Sequence, residues 1–600
     1  MRVRALAFAA LLCAHPAFAQ DPLAPLADQP KPQEQPAQPP TPVSVVPPPV
    51  TVVSPPPLVT AQPSPPAPPP IPIPRDWREV FAAIRSANWA SAAAGIAVLP
   101  PNILSPVAKA ELYTAKDSPT VDLTQLQALL VEAPELPQAE QIARMALTRG
   151  ATTPPLIVPK QPLAWLGSAP GRTRARPVQG ERAADELRAA LDPLIKADDA
   201  AGAELLLTQG APLLSFEARA EAGQRVAWAY YVLGQDADAR RVADAWRVGA
   251  SGDWATQAAW ISGLASWRLN DCEAASRAFR EVAGLSRERE LGAGAYYWAA
   301  RSEQACRRPG SVAPLLRAAA QSNESFYGLL ARATLGLNTR LPPDPRIADA
   351  FVENLPNVRR ALELAKIGER PLAEEMLRHQ ARIGRPSEHH GLIELAERLD
   401  LAGAQFWLAH NGQPGAIAFP QDRYPTPHWT PLTGWRVDPA LAFAHIIQES
   451  TFRTDAVSPA GAVGLMQVRP GTAGDMARAR GLPFSTSTLT DPSYNLEFGQ
   501  SFIEQMRSSP ATGGQLPRMM AAYNAGPLPV ARWAAIADRG DPLLWIESIP
   551  YWETRYYVPA VFRNMWVYQG LARAETPTLS AIVQHRWPAF PTSRTILSAR

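Results

Sequence analysis

The chain has 600 residues, of which 46% are hydrophobic and 19% charged, and its formal net charge is +3 at pH 7. So small a net charge argues against a protein that binds nucleic acid or an anionic membrane surface through a large basic patch. The length predicts several domains.

The first nineteen residues have the pattern of a secretory signal peptide. Two arginines precede an apolar run, and a small-x-small cleavage site ends at Ala19. The alternative is a lipoprotein anchored at Cys13, but Leu12 stands where a lipobox has a small residue. We therefore predict a signal peptide over residues 1–19 and export to the periplasm without a lipid anchor. No later apolar run reaches the roughly 18 residues that a membrane span needs, so no transmembrane segment is expected.

Residues 20–75 are dominated by proline and contain neither glycine nor an aromatic residue. Such a segment cannot bury enough apolar surface to offset its ordering entropy, so we predict an extended, disordered tether of polyproline type. The composition is compatible with a tether that extends the reach of the folded part of the protein. It is equally compatible with a passive spacer.

Residues 76–425 are predicted to be almost wholly helical, because apolar residues recur there at helical spacing between short breaks. Patterns of this kind cover Trp77–Ile84, Leu123–Leu130 and Ala139–Leu147. A second proline-rich stretch, Thr152–Gly180, interrupts them and is predicted to be a surface loop or insertion.

Weak self-similarity within this region indicates stacked helix pairs. The segment that begins at Tyr231 is echoed 36 residues later at Trp267, with a blurred third copy near Tyr296. A period of this size is typical of an α-helical solenoid. The solenoid's tryptophans and tyrosines could stack on sugars, but we expect them to pack helix against helix.

Cys272 and Cys306 are the two cysteines that remain after signal removal. An oxidising compartment favours a disulfide between them. Equivalent positions of stacked repeats lie about 10 Å apart, whereas a disulfide needs Cα atoms within about 7 Å. The sequence therefore leaves this bridge open.

A helix is predicted to start at Asp438-Pro439 and to end near Glu449. Asp438 is a suitable N-cap, proline is favoured at the first helical position, and apolar residues follow at helical spacing. A carboxyl at the end of such a helix lies near the negative pole of its dipole and beside apolar side chains, and both favour the protonated form. Glu449 is therefore a candidate general acid. The alternative is a glutamate that ends a helix in solvent.

The segment that follows decides between these interpretations. Residues 449–473 read ESTFRTDAVSPAGAVGLMQVRPGTA, residues 519–526 read MMAAYNAG, and residues 547–558 read ESIPYWETRYYV. Together with a helix start at Asp491-Pro492, these motifs resemble the soluble lytic transglycosylases, which cut bacterial peptidoglycan. Tyr551 and Tyr556 depart mildly from the family pattern.

The resemblance implies a mainly α fold, with an α-α superhelical solenoid followed by a lysozyme-like, mostly helical catalytic domain over residues 426–575 and a tail over 576–600. It implies that Glu449 is the single catalytic acid and base and gives Asp455 no role. It also implies a set of substrate-binding residues, namely Ser458, Gly464, Leu465, Met466, Gln467, Tyr523, Asn524, Glu553 and Tyr557. Glu553 is a weaker member of this set, with a structural ion pair to Arg555 as its alternative.

The predicted activity is cleavage of the β-1,4 bond between N-acetylmuramic acid and N-acetylglucosamine, which leaves a 1,6-anhydro end. A hydrolysing muramidase of the same fold and a non-catalytic periplasmic scaffold are the alternatives. Peptidoglycan strands are the expected partner, with other periplasmic cell-wall enzymes as possible partners and no nucleic acid. No metal or cofactor is predicted, because the histidines lack metal-ligand spacing.

Overall fold

The computed structural model describes residues 72–343 and 351–591. The predicted signal peptide, most of the proline-rich tether and the last nine residues lie outside this range. Within it the chain forms helices throughout, with one two-stranded antiparallel ribbon of β1 (Ala164–Trp165) and β2 (Asn411–Gly412). The helices are α1 (Trp77–Arg85), α2 (Trp89–Val98), α3 (Ser105–Thr114), α4 (Leu123–Glu132), α5 (Ala139–Thr148), α6 (Arg182–Lys196), α7 (Ala200–Gly210), α8 (Phe216–Val232), α9 (Asp236–Trp246), α10 (Asp253–Arg268), α11 (Cys272–Leu285), α12 (Arg289–Ala305), α13 (Pro309–Ala320), α14 (Phe326–Thr334), α15 (Pro356–Lys366), α16 (Arg370–Ile383), α17 (His389–Arg398), α18 (Ala402–His410), α19 (Pro439–Glu449), α20 (Pro470–Arg480), α21 (Pro492–Ser508), α22 (Leu516–Ala525), α23 (Pro527–Arg532), α24 (Pro542–Glu547), α25 (Trp552–Leu571) and α26 (Pro577–Val583).

The predicted helical repeats correspond to three successive helix pairs. The long helices α8, α10 and α12 begin 36 or 37 residues apart, and each is followed by a shorter partner, α9, α11 or α13. The solenoid's aromatic residues lie between these helices, as expected from packing: Trp260, Trp298, Tyr231 and Tyr327 are all buried. Their burial contributes much of the hydrophobic stabilisation of this layer.

Two large hydrophobic cores join helices that are distant in sequence. One core unites α1–α5 with α15–α18. The other unites the repeat helices with α19–α26, including Leu579 and Ile582 of the predicted tail. Since α1–α5, the first helices of the described residues, pack against α15–α18, the described helical region closes on itself.

The second proline-rich stretch is irregular and mostly exposed or half-buried, as predicted for a surface loop or insertion, but it is anchored to the folded core at a few buried points. Residues 161–180, which we call the bridging segment, run between the two cores. The Arg172 side chain within it is only 3% exposed and forms two hydrogen bonds of 2.9 Å with the Glu547 carboxylate. Arg563 also donates to the Pro170 carbonyl. Proline and the absence of helical periodicity correctly excluded a helix here, and the segment is held where its few buried polar groups find partners.

Cys272 and Cys306 form a disulfide, with Cα atoms 5.6 Å apart. Cys272 is the first residue of α11, and Cys306 follows the last residue of α12. The start of one helix and the end of its antiparallel neighbour lie closer together than equivalent positions of two repeats, which explains why the spacing estimate was too long.

The helix that ends at Glu449 is the centre of the C-terminal region. Every residue of α19 from Pro439 to Ile447 is buried, and the helix packs along α25. Asp438 caps it, accepting a hydrogen bond of 2.9 Å from the Ala440 amide, as the sequence predicted. A helix that is apolar on all sides requires neighbours on all sides, so the position of its last residue is firmly fixed.

No helix in residues 72–343 and 351–591 is long and apolar enough to cross a membrane.

Candidate active site

Glu449 is the last residue of α19, and its side chain is partly exposed while protein surrounds it on most sides. Burial raises the pKa of this carboxyl to about 7, a hydrogen bond from Tyr557 partly counteracts the rise, and the negative charge of Glu553 adds to it. Near neutral pH a large fraction of Glu449 is therefore protonated, as a general acid requires. The alternative of an ordinary solvated helix end does not fit this environment.

Tyr557 connects Glu449 to a second buried group, His445. Its hydroxyl donates a hydrogen bond of 2.6 Å to Glu449 Oε1 and lies 2.6 Å from His445 Nδ1. Burial lowers the pKa of His445 to about 3, so the imidazole is neutral. Because the single hydroxyl proton of Tyr557 points to Glu449, Nδ1 of His445 must carry the proton that it donates to Tyr557. The three side chains therefore form a directed hydrogen-bond chain that ends on Glu449 Oε1.

The predicted glycine-rich motif forms a tight loop beside this chain. Val463 pairs with both Val457 and Val468 in isolated β-bridges. Gly464 has φ +79°, and a Cβ there would lie 2.2 Å from Asn495 Nδ2, so both conformation and space require glycine. Gln467 also has positive φ, and its amide donates to the carbonyls of Ala456 and Gly464. The loop is thus held from within by Gln467.

Asn495 supports the same loop from α21. Fully buried, it accepts a hydrogen bond from the Met466 amide and donates to the carbonyls of Val463 and Leu489. Met466 and Leu465 are fully buried as whole residues, main chain included, so they form the base of the loop.

Tyr523 links the loop to the Glu449 helix. Its hydroxyl donates to the Met466 carbonyl at 2.7 Å, and its ring lies 4.4 Å from that of His445. Burial raises its pKa well above 10, with a further contribution from the charge of Glu449. The hydroxyl is therefore protonated throughout the physiological range.

More open positions are occupied by three predicted binding residues, Ser458, Asn524 and Glu553. Ser458 is partly exposed, and its hydroxyl accepts a hydrogen bond from the Ala462 amide in the loop's turn. Glu553 is exposed and accepts a hydrogen bond of 3.2 Å from the Asn524 side chain. Glu553 is not paired with Arg555, contrary to the structural alternative: Arg555 donates instead to the Ile549 carbonyl and stacks on Trp228.

Sequence reasoning missed the roles of His445 and Asn495. The signal for His445 was its position four residues before Glu449, which puts it one turn earlier on the same helix face. Asn495 lies on the helix that starts after Asp491. A fully buried asparagine needs several hydrogen-bond partners, and only the fold shows that these are in the glycine-rich loop.

Comparisons with known proteins agree with this geometry. Residues 431–546 match the family model described as "Transglycosylase SLT domain". These residues are therefore similar to transglycosylase SLT domains. The resemblance to the soluble lytic transglycosylase family that the motifs indicated is thereby confirmed.

Curated relatives match parts of this chain. The soluble lytic murein transglycosylase of Escherichia coli K12 is 34% identical over 158 residues, 25% of this chain and 24% of the relative. That of Salmonella typhimurium is 28% identical over 262 residues, 43% of this chain and 38% of the relative. The alignments thus span well under half of these relatives' own length.

Two solved structures are similar in fold to most of this chain. A crystal structure of an inactive mutant of the lytic transglycosylase Slt from Pseudomonas aeruginosa has a TM-score of 0.51 and 20% identity, covering 85% of this chain and 83% of its own. The 70 kDa soluble lytic transglycosylase of E. coli has a TM-score of 0.52 and 17% identity, covering 86% and 99%. The predicted fold class, a helical superhelix followed by a lysozyme-like helical domain, is confirmed.

Proposed function

We propose that this protein is a peptidoglycan lytic transglycosylase that cleaves the β-1,4 bond between N-acetylmuramic acid and N-acetylglucosamine and leaves a 1,6-anhydro end. The observation that carries the proposal is the environment of Glu449, a carboxyl with a pKa raised to about 7 at the end of a buried helix. The SLT domain match and the names of the curated relatives support the same activity. We also propose that the protein acts in the periplasm after removal of residues 1–19.

In the first step Glu449 donates its proton to the glycosidic oxygen. The directed chain from His445 through Tyr557 keeps Oε1 of Glu449 as a hydrogen-bond acceptor, so the acidic proton is carried on Oε2. The leaving sugar departs with that proton, and the substrate's own N-acetyl group stabilises the oxocarbenium-like centre, as the family resemblance implies.

In the second step the ionised Glu449 removes the proton from the 6-hydroxyl of the same N-acetylmuramic acid. The freed oxygen attacks the anomeric carbon and closes the 1,6-anhydro ring, so no water is consumed and Glu449 regains its proton. The raised pKa suits both steps, because a group that titrates near neutral pH can give and take a proton at similar cost.

The remaining predicted residues position the substrate. We propose that the backbone of Gly464, Leu465 and Met466 shapes the groove from beneath, and that Ser458, Gln467, Tyr523 and Asn524 orient the N-acetylated sugar. The internal hydrogen bonds of Gln467 and Tyr523 support these roles indirectly, since they fix the loop against which the sugar would lie.

A hydrolysing muramidase is the second candidate, and Glu553 is the residue that favours it. This exposed carboxylate is near enough to raise the pKa of Glu449. In ordinary glycosidases a second carboxylate activates water or acts as nucleophile.

Mass spectrometry of sacculi digested in ¹⁸O-labelled water separates the two candidates. The proposal predicts products that weigh one water less than reducing-end muropeptides and carry no ¹⁸O. Reducing ends labelled with ¹⁸O would instead establish hydrolysis and overturn the proposal.

A further inference from the structure

The turn that follows Glu449 has a strained backbone. Thr451 and Phe452 have φ of +53° and +64°, and among the residues that the structure describes no other two adjacent non-glycine residues have positive φ. Such values are uncommon outside glycine and least favourable for β-branched or bulky side chains. Strained backbone persists only where the surrounding structure imposes it, so the contacts of this turn must hold it in place.

The ring of Phe452 explains why the chain takes this turn. Phe452 is 1% exposed, and its ring centre lies 6.0 Å from that of Phe443 on α19 and 6.2 Å from those of Trp429 and Phe406. The left-handed turn therefore brings Phe452 back against the helix that carries Glu449. Burial of a large ring and its contacts with other rings offset the strain.

Phe406 contacts this turn from α18, which lies outside the residues 431–546 that match the SLT family model. Its half-buried ring packs against the core that contains α19–α26. The next residue, Trp407, is also half-buried but packs against the other core, which unites α1–α5 with α15–α18. The helix α18 thus lies between the two cores, and Phe406 is on its side towards the turn.

A second ring on α18 connects Phe406 to the two-stranded ribbon. The His410 ring lies 4.4 Å from that of Phe406 and 5.0 Å from that of Trp165 in β1. Burial lowers the pKa of His410 to about 4, so this ring is neutral near pH 7. A row of four rings, Trp165, His410, Phe406 and Phe452, therefore runs from the ribbon to the end of α19.

We propose that Phe406 is a positioning residue for the general acid: it supports Phe452, which holds the turn that ends α19 and so fixes the place of Glu449. The role of Glu449 as acid rests on the proposed function, whereas the contacts of the turn do not. Placement matters, because a displacement of about 1 Å caused far from the chemistry can lower a rate by roughly 10²-fold. The helical region thereby contributes a residue to the order of the active site.

Kinetics of the full chain on purified glycan strands test this role with two adjacent residues of one helix. Phe406→Ala should lower kcat about tenfold and leave KM unchanged. Trp407→Ala removes a ring that is also half-buried, but from the other core, and should leave kcat unchanged. Phe406→Tyr keeps the ring and should keep the wild-type kcat. Equal values of kcat for Phe406→Ala and Trp407→Ala would overturn the proposal.

A milder variant keeps the test independent of folding defects. Phe406→Leu retains most of the side-chain volume and should show the same fall in kcat to a smaller degree. Thermal denaturation of each variant separates a loss of stability from a loss of positioning. A fall in kcat that occurs only in variants with a lowered denaturation temperature, Trp407→Ala included, would also overturn the proposal.

The titration of Glu449 tests the contact without any cleavage. Carbon-13 NMR of the full chain labelled at its glutamate carboxyls gives the pKa, and the resonance is assigned by its loss in Glu449→Gln. The ionisable groups that act on Glu449 in the described residues are Tyr557 and Glu553 of α25 and Tyr523 of α22. Phe406 carries no charge, so a changed pKa in Phe406→Ala reports a changed position or burial of the carboxyl.

The expected direction of this change follows from burial. The pKa of Glu449 is raised to about 7 mainly by burial, and a loosened turn admits water, so Phe406→Ala should lower the pKa towards its ordinary value. Trp407→Ala should leave it in place. An unchanged pKa in Phe406→Ala would overturn the proposal. If the wild type fails to cleave glycan strands, the proposed function is wrong, and this titration still decides whether Phe406 positions Glu449.

Discussion

The Tyr557 hydroxyl lies 2.6 Å from Oε1 of Glu449, although 108 residues separate the two in the sequence. The contact joins the end of the central helix α19 to the second turn of α25. Because Tyr557 also meets His445, the candidate acid is oriented by side chains that do not themselves titrate near neutral pH. This arrangement leads to the first two predictions.

Replacement of Tyr557 by phenylalanine should move the pH profile to higher pH. Glu449 must be protonated to act as acid, so kcat/KM falls as pH rises through its pKa of about 7. The Tyr557 hydrogen bond stabilises the ionised form, and its loss raises this pKa further. We expect the descending limb of the kcat/KM profile to move to higher pH and kcat to fall. Both are measured on purified glycan strands. Tyr556→Phe, a change one residue earlier on the same helix, should leave the limb in place.

His445→Phe should also raise the pKa of Glu449 and lower kcat, but by less than Tyr557→Phe does. The variant removes the Nδ1–H that donates to Tyr557, and the loss of one net hydrogen bond of about 1 kcal/mol corresponds to roughly a fivefold fall in kcat. In a double-mutant cycle the change should have almost no effect once Tyr557 is phenylalanine. Additive effects would show that His445 acts only through packing.

The buried ion pair of the bridging segment should be necessary for stability. Arg172→Met leaves the Glu547 carboxylate, 2% exposed, without its cation. Breaking such a pair from one side typically costs about 3–5 kcal/mol, so thermal denaturation should occur at a clearly lower temperature. Arg182→Met is the control, because its ion pair with Glu186 is exposed. Similar shifts for both variants would contradict the role assigned to the bridging segment.

The disulfide should stabilise the repeat helices. Cys272 and Cys306 are 34 residues apart, and closing a loop of that length in the unfolded chain contributes about 4 kcal/mol in the chain-entropy model. Thermal denaturation of the wild type with and without a reducing agent should show this difference. The Cys272→Ser, Cys306→Ser double variant should be insensitive to the reducing agent.

Much of this molecule could be predicted from local patterns. The start of α19 at Asp438-Pro439 and that of α21 at Asp491-Pro492 follow from N-cap chemistry, and both caps are present. The position of Glu449 at the end of its helix also follows, since apolar periodicity stops there. These features depend on residues a few positions apart, which is the range over which a single sequence is informative.

Contacts between distant segments could not be predicted in the same way. The burial of Arg172 depends on Glu547, 375 residues later, and no local pattern distinguishes such an arginine from a solvated one. The hydrogen bond between Tyr557 and His445 also joins residues that are 112 positions apart, so no local pattern predicts it. Composition identifies residues 161–180 as irregular, but the points at which they are anchored are known only once the partners of Arg172 and Pro170 are known.

Cleavage of purified glycan strands by Glu449→Gln, compared with Glu553→Gln, tests the central claim most directly. Glutamine preserves the size of Glu449 and can still accept from Tyr557, but it can neither donate nor remove the required proton. Loss of general acid–base help typically costs about 10²–10⁴-fold, and we expect at least the upper end. Glu553→Gln should still release 1,6-anhydro ends. Wild-type turnover by Glu449→Gln, or abolished cleavage by Glu553→Gln, would contradict a mechanism in which Glu449 alone is acid and base.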